Sequence, residues 1–86
     1  MRGKKRDSER LNHIIEAVDN IFEFTDRLTL SDFSSNKMLK FAVIKNLEII
    51  GEAANLLTNE LKNNNPIIDW KSIIGLRNFL IHGYYR

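Results

Sequence analysis

The chain has 86 residues, of which 43% are hydrophobic and 28% charged, with a net charge of +2 and no cysteine. This length fits one small domain that buries roughly 60 to 65% of its unfolded surface, so association with a second chain would add stability. The lack of cysteine excludes a disulfide framework and a thiolate metal site, and it favours a reducing compartment, the cytoplasm.

The excess of basic residues lies at the start of the chain. Residues 1–10 carry five basic and two acidic side chains, whereas residues 11–86 carry eight and nine. Polar residues follow the opening MRGKKR where an export signal would be apolar, and no later apolar run is long enough to span a bilayer. We therefore expect a single domain over residues 1–86, with residues 1–6 as a disordered basic tail and no membrane segment.

A first helix is predicted from Asp7 or Ser8, either of which would cap its N-terminus. The side of this helix that lies opposite its apolar residues is acidic and is predicted to face solvent. Small polar residues then predict a loop with one short turn around Ser31–Phe33. The apolar residues recur at helical spacing, at Leu11, Ile14, Ile15, Val18, Ile21, Phe22 and Leu28.

A second helix is predicted from about Ser35 or Asn36 to Lys62. Its apolar face is too wide for one partner helix, so we expect it to contact two neighbours, with a close crossing at Gly51. Glu48 and Glu52 have the spacing of a metal or acid–base pair, but they continue a polar stripe that is predicted to face solvent. The apolar face comprises Val43, Leu47, Ile49, Ile50, Ala53, Ala54, Leu56, Leu57 and Leu61.

A third helix is predicted to begin after Asp69, its N-cap, and to end at Gly83. Arg77 falls in the middle of its apolar arc, where a permanent cation is costly unless an anion meets it. The arc comprises Trp70, Ile73, Ile74, Leu80, Ile81 and Tyr84. The three segments together predict an all-α bundle.

The two histidines differ in their surroundings. His13 is predicted to be structural. Neither histidine is grouped with other side chains at metal-ligand spacing, so no metal site is expected. His82 lies one turn after Asn78 and five residues, or about 140° around an ideal helix, from Arg77. Arg77 and His82 therefore meet at one point only if the helix unwinds near Gly83 or if a second copy of the segment completes the site.

A fixed cation, a group that titrates near neutrality and an amide donor suit cleavage of a phosphodiester. RNA supplies its own nucleophile in the 2′-hydroxyl, so the protein needs only to move protons and stabilise the developing charge. The alternative is structural, in which Arg77 pairs with a buried acid such as Glu52 and His82 interacts with the helix dipole.

The closing motif resembles that of a known family. The segment from Arg77 to Tyr85 reads RNFLIHGYY, which is similar to the Arg-polar-x-x-x-His motif of the HEPN superfamily. With Tyr84 it resembles the Arg-x-x-x-x-His-x-Tyr motif of HepT-like toxins. Two further segments resemble that family, NLEIIGEAANLL and WKSIIGLRN, so the likeness runs from about Leu11 to Tyr85.

This resemblance implies an antiparallel HEPN-type bundle and a homodimeric, metal-independent endoribonuclease that needs no cofactor. It also implies the toxin of a toxin–antitoxin module, with an MNT-type nucleotidyltransferase as antitoxin. By the same resemblance Arg77 and His82 are catalytic, Asn78 supports them, and the antitoxin attaches AMP to Tyr84. For Tyr84 the alternative is a packing role alone.

The resemblance leaves two questions open. Similar family members continue into a further C-terminal helix, whereas this sequence stops at Arg86. Either the dimer covers the part of the core that this helix would fill, or the chain continues beyond the sequence. HEPN-like bundles also serve as non-catalytic docking or substrate-binding partners of nucleotidyltransferases, which is the alternative function.

Overall fold

The computed structural model describes residues 2–79 and 82, with side chains for these residues except 2–5 and 77. Within this part of the chain there are five helices and no strand. The helices are α1 (Arg2–Thr25), α2 (Leu30–Ser35), α3 (Lys37–Asn55), α4 (Asn59–Asn64) and α5 (Trp70–Phe79). The prediction of an all-α bundle is confirmed.

Helix α3 lies between α1 and α5 and contacts both, while α2 packs against its start. The wide apolar face of α3 therefore covers two neighbours, as its sequence predicts. The buried hydrophobic core of the described residues is small, and Gly51 is buried as well. This core consists of Ala17, Val43, Ile44, Ala53, Ala54 and Leu57.

Helix α1 begins earlier than predicted. It starts at Arg2, so residues 2–6, predicted to be a disordered tail, continue the helix. It ends at a turn in which Arg27 has φ 58°, a left-handed conformation that costs a non-glycine residue about 1 kcal/mol. The short turn predicted around Ser31–Phe33 is the helix α2, which Thr29 and Asp32 cap reciprocally.

The predicted continuous helix from residue 36 to Lys62 is wrong, because it is broken between Asn55 and Asn59. Thr58 caps the new helix α4 by accepting a hydrogen bond from the Leu61 amide at 3.2 Å. The apolar residues keep their helical spacing beyond Asn55 as far as Leu57, which is only 3% exposed. Periodicity alone therefore did not reveal where α3 ends.

The prediction that Asp7 caps α1 is wrong. Asp7 lies inside α1 and holds the start of α4. It is buried within α1, where its Oδ1 accepts a 2.9 Å hydrogen bond from the Thr58 amide. Its Oδ2 accepts a 2.6 Å hydrogen bond from the Thr58 hydroxyl. Both Thr58 donors hold the pKa of Asp7 below its ordinary value, and the hydroxyl has a larger effect than the amide.

The start of α5 is fixed by two local contacts. Asp69 caps it, as predicted, by accepting hydrogen bonds from the Ser72 hydroxyl at 2.8 Å and the Ser72 amide at 3.1 Å. These two donors hold the pKa of Asp69 below its ordinary value. The indole of Trp70 donates to the Asn65 carbonyl at 3.0 Å, which joins α5 to the end of α4.

Candidate active site

The predicted site residues lie at the end of α5 and just beyond it. Arg77 and Asn78 belong to the last turn of α5, and the Asn78 side chain is exposed. His82 is exposed as well. Tyr84, the side chain of Arg77 and the helix end predicted at Gly83 lie outside the described residues. The catalytic pairing of Arg77 with His82 therefore stays a prediction.

Helix α5 has two different sides. Its half-buried residues Trp70, Ile73 and Ile74 lie on the side of the predicted apolar arc, and α5 packs on α3. The outward side carries the exposed Lys71, Asn78 and Phe79. An exposed amide and an exposed imidazole therefore lie four positions apart in the chain.

Phe79 is the residue that sequence reasoning missed. It is 70% exposed, although it lies between Asn78 and His82 in the chain. The available signal was its position on the helical wheel, because Phe79 falls outside the apolar arc that contains Ile73 and Ile74. Among the exposed large apolar side chains of the described residues, Phe79 is the one that lies within the closing motif.

A groove of about 360 Å³ runs between α1 and α3. Its lining includes Arg10, His13, Lys45, Glu48 and Glu52, so the two glutamates lie beside cations in an open groove. The side chain of His13 is exposed. The Arg10 Nε atom is buried and has no hydrogen-bond partner among the described residues. The charged lining of this groove therefore includes both cations and carboxylates.

Metal-ligand clusters and membrane-spanning helices are both absent from residues 2–79 and 82. This part of the chain contains no cluster of three or more His, Cys, Asp or Glu side chains placed to hold a metal ion. None of its helices combines the length and the apolar character needed to cross a bilayer. The prediction of cytoplasmic location stays a prediction.

The described residues form a small all-α bundle with exposed polar side chains at the end of α5. Comparison with known proteins identifies its family. The family model described as "Ribonuclease HepT-like" matches residues 14–86. The chain therefore belongs to the HepT-like ribonuclease family, and the prediction of an endoribonuclease is confirmed.

Curated relatives agree with this family. "Putative RNase MJ1380" of Methanocaldococcus jannaschii is 43% identical over 82 residues, which cover 94% of this chain and 75% of the relative. "Probable ribonuclease HepT" of Thermococcus cleftensis is 40% identical over 82 residues, covering 95% of this chain and 74% of the relative. No solved structure matches the chain significantly.

Proposed function

We propose that this ribonuclease cleaves RNA without a metal ion, using Arg77, Asn78 and His82, and that it is the toxin of a toxin–antitoxin module. The observation that carries the proposal is the exposure of Asn78 and His82 at the end of α5 in a chain of a ribonuclease family. Exposure matters because a phosphodiester within an RNA chain reaches only side chains that are open to solvent.

The proposed reaction begins with the 2′-hydroxyl of one nucleotide. Its oxygen forms a bond to the adjacent phosphorus while its proton passes to a base, and the bond from phosphorus to the 5′-oxygen breaks as that oxygen gains a proton. The products are a 2′,3′-cyclic phosphate and a 5′-hydroxyl. His82 moves protons, and Arg77 stabilises the charge that develops on the phosphoryl oxygens.

We further propose that the active form is a homodimer. The chain has an accessible surface of 6603 Å², whereas a folded monomer of its mass, 10.1 kDa, exposes about 5300 Å². Several large apolar side chains contribute to this excess, among them Leu30 and Met38, which are 80% and 84% exposed. A second copy that covers such surface would also bring its own Arg77 and His82 to the site.

The proposed antitoxin is an MNT-type nucleotidyltransferase that attaches AMP to Tyr84. The added phosphodiester would place negative charge and a bulky nucleoside seven residues from Arg77, opposing the approach of RNA. The protein, incubated with such a partner and ATP, should gain the mass of AMP. Tyr84→Phe should abolish the gain, whereas Tyr85→Phe should leave it unchanged.

Cleavage is tested with a fluorescently labelled single-stranded RNA. His82→Ala should lower the rate by about 10² to 10⁴, whereas His13→Ala, an exposed histidine on α1, should leave it unchanged. EDTA should have no effect, and light scattering should give a dimer mass. RNA that stays intact with the unmodified dimer would favour the docking role instead, and loss of cleavage with EDTA would contradict the metal-independent scheme.

A further inference from the structure

An aromatic ring lies exposed at the centre of the proposed catalytic motif. Phe79 is 70% exposed, and the residue before it, Asn78, is exposed as well. A buried phenylalanine would stabilise the fold, so this ring contributes little of its apolar area to the stability of the chain. The exposed ring is therefore available to a molecule outside the chain.

The helix surface that leads to Phe79 is open. Lys71, Gly75 and Asn78 follow one another at steps of four and three residues, and Gly75 lies one turn before Phe79. A methyl group built on Gly75 would meet no atom of another element within 4 Å among the described residues, and the backbone there does not adopt the left-handed conformation that favours glycine. Among the described residues, neither packing nor backbone conformation requires a glycine at this half-buried position one turn before the ring.

Covalent geometry limits the distance between Phe79 and His82. They are three positions apart, so their Cα atoms lie at most about 11 Å from each other even when the chain is fully extended. A nucleotide whose phosphate lies against His82 therefore has its base, or that of its neighbour, within reach of the Phe79 ring. The ring and the imidazole are both exposed.

We propose that Phe79 is a stacking platform for a nucleobase next to the cleaved phosphate, so that the substrate is single-stranded RNA. This inference rests on the proposed function. Proteins recognise single-stranded RNA by stacking its splayed bases on aromatic side chains, whereas bases in a duplex are already stacked. Lys71, two turns before Asn78, supplies a cation for the RNA backbone.

The surroundings of Phe79 favour RNA over a second protein chain as its partner. The centre of a protein–protein interface is depleted of charged residues. Phe79 instead lies on the outward side of α5 with Lys71 and Asn78, a cation and an amide, both exposed, and His82, three positions further along the chain, is exposed as well.

The first experiment measures binding of a labelled single-stranded RNA to variants built on His82→Ala, so that cleavage does not interfere. Phe79→Leu, which keeps apolar bulk but loses the ring, should weaken binding by about 10-fold to 100-fold, the typical loss for one stacked base. Phe79→Tyr should bind nearly as well as the parent. Phe22→Leu is the matched control, because Phe22 is also 70% exposed, and it should bind like the parent.

The second experiment locates the base. A single abasic nucleotide is moved along the RNA, and the loss caused by Phe79→Leu should vanish when the abasic nucleotide occupies one particular position. The same RNA as a duplex should show no dependence on Phe79. A loss that is equal at all positions, or a change from dimer to monomer in light scattering of Phe79→Leu, would overturn the proposal.

The two proposals fail in different ways. If His82 is required for cleavage but Phe79→Leu binds RNA normally, the stacking proposal is wrong and the proposed function stands. If RNA binds with a position-dependent contribution from Phe79 but is never cleaved, stacking stands and the catalytic proposal is wrong. A protein that binds no single-stranded RNA contradicts the stacking proposal.

Discussion

The contact between α1 and α3 and the outward side of α5 use polar residues in opposite ways. In the first region, the Asn20 side-chain amide donates to Asn46 Oδ1 at 3.1 Å, and the Asn46 amide donates to the Ala42 carbonyl at 2.8 Å. In the second region, Asn78 and His82 are exposed. The paired side chains of Asn20 and Asn46 stabilise the fold. The exposed side chains of Asn78 and His82 are open to a substrate.

This difference predicts that variants of the two regions separate cleanly into stability effects and activity effects. Substitutions between α1, α3 and α4 should change the unfolding midpoint with little effect on cleavage per folded molecule. Substitutions at the end of α5 should do the reverse. The predictions below test this separation.

The largest effect is expected at Arg77. Arg77→Lys keeps the positive charge but loses the planar fork that meets two phosphoryl oxygens, so the cleavage rate should fall by on the order of 10². Circular dichroism should show unchanged helix content. Arg6→Lys, at an exposed arginine on α1, is the control. Full activity of Arg77→Lys would remove Arg77 from the catalytic proposal.

The next effect is expected at Asp7 and depends on pH. Its lowered pKa means that the folded state favours the ionised carboxylate, so its contribution is present above the unfolded pKa of about 4 and is lost as the pH falls through the lower folded pKa. The urea midpoint should therefore fall in acid. Asp7→Asn should lower the midpoint at neutral pH and weaken this acid dependence.

The control for Asp7 is Asp19→Asn, at an exposed carboxylate on the same helix. It should change neither the midpoint nor its pH dependence appreciably. Equal effects of the two variants would mean that the hydrogen bonds to Thr58 do not stabilise the start of α4.

A smaller loss is expected at Asn46, which is 6% exposed. Asn46→Ala removes the acceptor for Asn20 and should lower the free energy of unfolding by about 1 to 3 kcal/mol, measured by urea denaturation. Asn12→Ala, at an exposed asparagine on α1, should be near neutral. An unchanged midpoint for Asn46→Ala would show that water replaces the lost contact.

The smallest effect is a gain, at Gly75. Because a methyl group there meets no atom of another element within 4 Å in the described part of the chain, Gly75→Ala should raise the free energy of unfolding by roughly 0.5 to 1 kcal/mol through helix propensity alone. Gly51→Ala, at a glycine buried in α3, should instead lower it. If both substitutions stabilise the protein, Gly51 does not mark a close helix crossing.

Sequence predicted the elements that depend on local signals. The cap at Asp69 uses a donor only three residues away, and the two contact faces of α3 follow from its own periodicity. The break at Thr58 was missed because Asp7, the residue that holds it, lies 51 positions earlier. At the site, the motif identified Asn78 and His82, but the exposure of Phe79 depends on how α5 packs, which the pattern did not reveal.

The bonds from Asp7 to Thr58 also set an order on the folding of the chain. They close a loop of 51 residues, so they add nothing until Thr58 has emerged from the ribosome. The helices before that point can pair as soon as they are made, since domains fold from the N-terminal side during synthesis. The segment that carries α5 is then attached to a surface of α3 that already exists, which means that the closing motif takes its position after the pairing of α1 with α3.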